Sequence, residues 1–245
     1  MSIYYPPWTK LYVFGDSFAE PVNNIPWTWT QLLAKKLRQK CINFAKGGTG
    51  LEYTFDKFEQ CRSSILADDN VVIFLTAELR GYWYKHNPAF ESLNSFGVTQ
   101  DAKKIPKDEY LALKYYFACF TDIHIEKMHV NLLNFLHSVD SLAKTHQKKF
   151  LIVDAVLDTV IDHSRYSNLI ISHGKLFNVS ERECGDIEYF KILANERRPN
   201  HLCASNHAIL ADKIVNCLTT GAQLNLTDTF RTSIILSENF DPSML

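Results

Sequence analysis

Three kinds of feature are scarce in this chain, and each scarcity closes off a class of function. Charge of one sign is the first. The 245 residues carry 26 Lys and Arg against 27 Asp and Glu, a formal net charge of -1. Such a balance gives no electrostatic pull toward nucleic acid or an anionic membrane. The basic pairs Lys103-Lys104, Lys148-Lys149 and Arg197-Arg198 are too scattered to make a patch. Long apolar runs are the second scarcity. None approaches the roughly 18 residues that span a bilayer, and residues 1–10 lack a basic region followed by an apolar stretch. The expectation is a cytoplasmic protein with neither nucleic acid nor membrane as partner.

Paired cysteines are the third. The six cysteines, at 41, 61, 119, 184, 203 and 217, include no C-x-x-C pair, which argues against a zinc ribbon or a redox motif. Several sit in apolar runs, as buried reduced thiols do. His124, His129 and His137 lack the H-E-x-x-H spacing of a metal site and read as surface or boundary residues. No metal or other cofactor is expected. Internal repeats and low-complexity segments are absent too.

What remains is an ordinary globular composition, 46% hydrophobic and 22% charged, large enough to bury a sizeable core. Short apolar runs alternate with helical patterns. Strands are expected at 11–14, 41–45, 71–75 and 150–156, and helices at 26–40, 51–68 and 205–218, with a further helical stretch after residue 110 that is best patterned from Met128. Residues 82–110, of mixed polarity, read as an insertion or lid-like loop. Residues 157–200 read as irregular, and 221–245 as an extension to a single domain at 1–220. Strands alternating with helices imply an α/β fold: a mainly parallel sheet between two helical layers. Sites in such sheets form at the carboxyl ends of the strands. Ser17, the Gly47-Gly48 turn and Thr76 all fall there.

A serine hydroxyl needs a base to take its proton and donors to hold the developing oxyanion. Ser17 follows the first strand in Gly15-Asp16-Ser17, and a helix-like turn beginning there would aim backbone N–H groups into one space. A turn tripeptide with no chemistry would have the same composition. Near the other end, Pro199-Asn200-His201-Leu202 precedes the last amphipathic helix. A histidine of ordinary pKa suits the exchange of a serine proton. His207 is expected to cap or pack the helix, and His163 is the main rival for the base.

These segments resemble the blocks of the SGNH, or GDSL, hydrolase family. The first block is Leu11 to Ser17, with Gly-Asp-Ser after the first strand. The second is Asn43-Phe44-Ala45-Lys46-Gly47-Gly48-Thr49, an asparagine shortly before an oxyanion glycine. The last is the loop holding His201. The resemblance spans Leu11 to about Leu218. It implies a flavodoxin-like three-layer sheet, Ser17 as nucleophile, His201 as general base, and the N–H groups of Ser17 and Gly48, or Gly47, in the oxyanion hole. The substrate implied is a small ester, of which an O-acetylated carbohydrate is one kind, and no cofactor is needed.

The chain departs from the family in two places. The third block is usually Gly-x-Asn-Asp, but here the strand runs Leu75-Thr76-Ala77-Glu78-Leu79-Arg80. Thr76 or Arg80 could replace the missing donor; Arg80 could instead bind an anionic substrate group or join a surface ion pair. The acid expected two or three residues before the histidine is replaced by Arg198 and Pro199. Glu196, Asp154 or a backbone carbonyl could orient the imidazole, and Asp16 is a further acidic neighbour of the nucleophile. Trp27, Trp29, Tyr82, Trp83 and Tyr84 follow the strands that carry the site and could line a pocket. The departures leave a rival expectation, a domain of this fold that binds or assembles without catalysis. The oligomeric state is left open.

Overall fold

In a computed structural model, residues 9–21, 28–78, 107–183, 202 and 204–230 are described. The apolar runs become five strands: β1 (Lys10–Phe14), β2 (Lys40–Asn43), β3 (Asn70–Leu75), β4 (Phe150–Asp154) and β5 (Leu169–Ile171). All pairings are parallel, in the order β2-β1-β3-β4-β5. Every residue of β3 is buried, which explains its unbroken apolar sequence: a central parallel strand is covered on both faces.

Alternate side chains of each strand feed two cores. On one face Leu11, Val13, Val72, Phe74, Leu151 and Val153 pack with residues of α1 (Trp29–Leu37), α4 (Leu176–Glu183) and α5 (Ala204–Thr220). On the other, Tyr12, Phe14, Ile73, Leu75, Phe150 and Ile152 meet α2 (Leu51–Cys61) and α3 (Lys107–Thr145). The result is the three-layer α/β/α arrangement with the flavodoxin-like strand order. The direction of strand addition reverses between β1 and β3, and ligands of open α/β sheets bind at that switch point. Ser17 and Thr76 lie just beyond those two strands.

Element boundaries follow local chemistry. Helix α1 stops at Leu37 because Arg38 turns left-handed (φ 53°) and donates its N–H to Ala34 and Lys35 carbonyls. That is short of the expected end at residue 40. Helix α2 stops at Cys61, continuing only as a 3₁₀ turn at Arg62–Ser64; Asp69 then accepts from the N–H groups of Leu66 and Lys10, tying that turn to β1. The expectation that residues 157–200 are irregular fails at two places, β5 and α4. Helix α3 runs 39 residues, with non-helical backbone at Phe120. It takes in residues 107–110 of the expected insertion; residues 79–106 lie outside the described residues. Past α5, Leu224, Leu226 and Phe230 are buried in the first core.

No helix among the described residues is long and apolar enough to cross a membrane. Among the described residues Cys41, Cys61, Cys119 and Cys217 are free. Burial pushes the thiols of Cys41 and Cys217 up to about 11, whereas Cys119 is exposed.

Candidate active site

The turn that carries Ser17 is built by Asp16. The Asp16 carbonyl accepts from Ala19 N at 3.1 Å and Glu20 N at 3.0 Å, and its Oδ1 accepts from Phe18 N at 3.1 Å. This is one helical turn with an aspartate at its N-cap, and Ser17 occupies the first position after the cap. There a backbone N–H points outward along the axis instead of into the turn. Ser17 is half-buried, between the fully buried Asp16 and the buried Phe18.

The turn is held by three neighbouring elements. Thr76, just past β3, donates its hydroxyl to Asp16 Oδ2 at 2.8 Å. Trp29, the first residue of α1, donates its indole Nε1–H to the Phe18 carbonyl at 2.8 Å. Asn43, the last residue of β2, donates Nδ2–H to the Ala19 carbonyl at 2.8 Å, and its Oδ1 accepts from Ala45 N at 2.8 Å. The asparagine of the second block therefore shapes its own loop and fastens it to the serine turn. Gly15 permits all of this. Its φ is +145°, and a Cβ there would lie 2.6 Å from Phe74 Cβ, so a side chain would force β1 away from β3.

The Gly47-Gly48 turn sits against the same structure. Lys46 N donates to the Gly15 carbonyl at 3.1 Å. The Glu20 carboxylate closes on Gly47, with Oε2 2.6 Å from where a Cβ would stand. Gly48 has φ +74°, and Gly50 begins α2. Asp16, Ser17, Gly47 and Thr76 are thus linked through bonds and contacts beyond the carboxyl ends of β1, β2 and β3. The Thr76 hydroxyl, one of the two candidates for the missing donor, donates to Asp16 in this structure.

Asp154 closes β4 and is partnered by its own loop and by the residue after β5. Its Oδ1 accepts from Leu157 N at 2.9 Å, and its N–H is bound by Ser172 Oγ. Burial raises its carboxyl to about 6, against the pull of the Leu157 N–H and Lys175, with Glu78 and Asp158 pushing the same way as burial. Glu78, 2% exposed, accepts from the N–H groups of Asp158 and Thr159 at 2.9 and 2.8 Å, joining the exits of β3 and β4. His124 is buried, not the boundary residue expected: helix α3 turns it inward. Burial holds its imidazole below the ordinary value, against the upward pull of Glu52 and the Glu78 backbone. His129 contacts Thr159 at 3.3 Å, and His137 lies exposed beside the Tyr166 ring. His163 is exposed in a short turn capped by Asp162.

Trp29 is a core residue, stacked on Phe74 with ring centroids 4.8 Å apart. His201, Glu196, Arg80, Trp27, Tyr82, Trp83 and Tyr84 lie outside the described residues. Leu202, the neighbour of His201, is buried in the cluster that also holds Phe18, Ala19 and Trp29. Among the described residues no group of His, Cys, Asp or Glu has the geometry of a metal site.

Sequence reasoning missed Asn43 as a brace, Glu20 and the Asp16–Thr76 bond. Only Asn43 carried a signal, its place in the second block.

No family model and no curated protein matches this chain. Among solved structures it is similar to a protein from Desulfitobacterium hafniense DCB-2 assigned to the lipolytic G-D-S-L family. The identity is 13%, the match covers 83% of this chain and 96% of the other, and the TM-score is 0.34. That likeness is too loose to carry residues or an activity across.

Proposed function

We propose that this chain is a serine hydrolase of small esters. The observation that carries the reading is the placing of Ser17: first residue of an aspartate-capped turn, at the switch point of a parallel sheet, beside a glycine turn. A nucleophile needs such an address, because the reacting carbonyl must meet the hydroxyl and outward-pointing N–H groups together. In this reading the Ser17 hydroxyl attacks the acyl carbon while His201 takes its proton. The oxyanion is held by the N–H groups of Ser17 and of Gly48 or Gly47. The tetrahedral adduct collapses, His201 returns the proton to the departing alkoxide, and an acyl-Ser17 ester remains. Water, deprotonated by His201, then releases the carboxylic acid and frees the serine. An acetyl ester of a sugar suits this scheme; Glu196, Asp154, Asp16 and Arg80 are the candidates for orienting the imidazole or contacting substrate.

A fluorophosphonate reagent tests the reading directly. It should label the wild type and not Ser17→Ala, and acetyl esters should be hydrolysed only by the former. A wild type that neither reacts nor turns over any acyl ester refutes it. One observation favours the second reading, a binding module that has lost catalysis. With no third-block asparagine and with the Thr76 hydroxyl on Asp16, one customary oxyanion donor is lacking, and such a loss costs on the order of 100-fold in rate.

A further inference from the structure

The N-terminus of α1 is capped from another helix. The first N–H groups of a helix have no partner within it, and the side chain preceding α1, that of Thr28, makes no capping bond. Instead the Trp29 N–H is accepted at 3.1 Å by Nδ1 of His207, a residue 178 positions away in the first turn of α5. The imidazole is 4% exposed. Trp29 is the same residue whose indole N–H holds the Phe18 carbonyl at 2.8 Å. Phe18 is therefore held at both of its peptide groups, its N–H by Asp16 Oδ1 and its C=O by Trp29. Trp29 is thus anchored by its ring, stacked on Phe74 of β3, by its indole N–H on Phe18, and at its backbone by His207.

We propose that His207 is a positioning residue for Ser17, acting through Trp29. The chain of contacts is short: imidazole to the Trp29 backbone, indole to the Phe18 carbonyl, and Phe18 to the adjacent Ser17. The first link requires an acceptor at Nδ1, so the imidazole carries its hydrogen on Nε2. It also ties the Ser17 turn to α5, which begins three residues after His201 in the sequence. A displacement at the start of α5 is transmitted to the hydroxyl. The inference rests on the reading of Ser17 as nucleophile and adds to it a residue outside the reacting groups.

The test separates acceptor from shape. His207→Asn keeps an acceptor near the position of Nδ1; His207→Phe keeps the ring and removes it. Hydrolysis of p-nitrophenyl acetate is measured with the full chain, at a temperature where circular dichroism shows each variant folded. Rates are normalised to sites titrated with the fluorophosphonate. His207→Phe should lower kcat per titrated site on the order of tenfold, a misplacement effect, with KM within about twofold. His207→Asn should recover most of the loss. A purely structural histidine would lower the melting temperature and the number of titratable sites, but not kcat per site. If His207→Phe does not fold, benzothienylalanine at position 29 removes the indole N–H and keeps its bulk. The same fall in kcat is then expected. An active wild type with unchanged His207→Phe or benzothienylalanine kinetics overturns the positioning role alone. Equal losses in the Phe and Asn variants do the same. A wild type that is neither labelled nor active overturns the nucleophile reading, and this inference with it.

Discussion

Replacing Gly15 with alanine asks how tightly the serine turn is pinned to the sheet. Two costs add. The backbone at φ +145° lies where L-residues are strained, worth about 1–3 kcal/mol. The added methyl would stand 2.6 Å from Phe74 Cβ and 3.2 Å from the Phe74 carbonyl oxygen. Those are strand atoms rather than the tip of a flexible side chain, so relief requires β1 and β3 to part, and overpacking of that kind costs about 1–3 kcal/mol more. The midpoints give a loss of about 4 kcal/mol. Gly221 supplies the internal control. It ends α5 at φ +73°, and a Cβ there meets nothing within 4 Å, so Gly221→Ala carries only the left-handed penalty of about 1 kcal/mol. In urea unfolding, with a slope of about 3 kcal/mol per molar, the midpoints should fall by about 1.3 M and 0.3 M. Equal shifts, or a Gly15→Ala loss under about 1.5 kcal/mol, would refute the claim that the β1–β3 contact sets this glycine.

The remaining predictions concern the groups around it. Thr76→Val keeps the shape but removes the hydroxyl from a buried carboxylate, and should cost about 2 kcal/mol of stability by chemical denaturation. Asp154, its carboxyl raised to about 6 by burial, binds its proton more tightly folded than unfolded. The fold therefore gains stability as pH falls from about 6 toward 3.8 and loses that gain as pH rises through 6. A shift of this size corresponds to at most about 3 kcal/mol. Asp154→Asn should raise the melting temperature at pH 8 and flatten its change between pH 4 and 6.

Much of the fold was legible because strands buried on both faces leave continuous apolar runs, as Val71 to Leu75 does. β5 was not, because three residues, Leu169 to Ile171, make too short a run to stand out from polar flanks. The end of α1 was overshot because the left-handed turn at Arg38 falls on a residue with no glycine-like signal. At the site, Ser17 and the glycine turn could be located from their places after strands. The bonds that hold them could not. Asp16 to Thr76 spans 60 positions and Trp29 to His207 spans 178, and local pattern carries no information about partners that meet only when the chain is packed. His207 shows the limit well: it caps a helix as expected, but α1 instead of its own.

The sheet divides the hydrophobic interior into two compartments, with a wall of peptide groups between them. Phe18, Trp29 and the buried face of α5 belong to one compartment; the long helix α3 belongs to the other. Mutations that reshape the α3 side reach the serine through the strands and through α2, which packs on α3 by Phe55 and Phe58 and starts at Gly50, just after the glycine turn. Drift in sequence on the α3 side is therefore felt at the serine turn most directly through the start of α2, where the glycine turn ends.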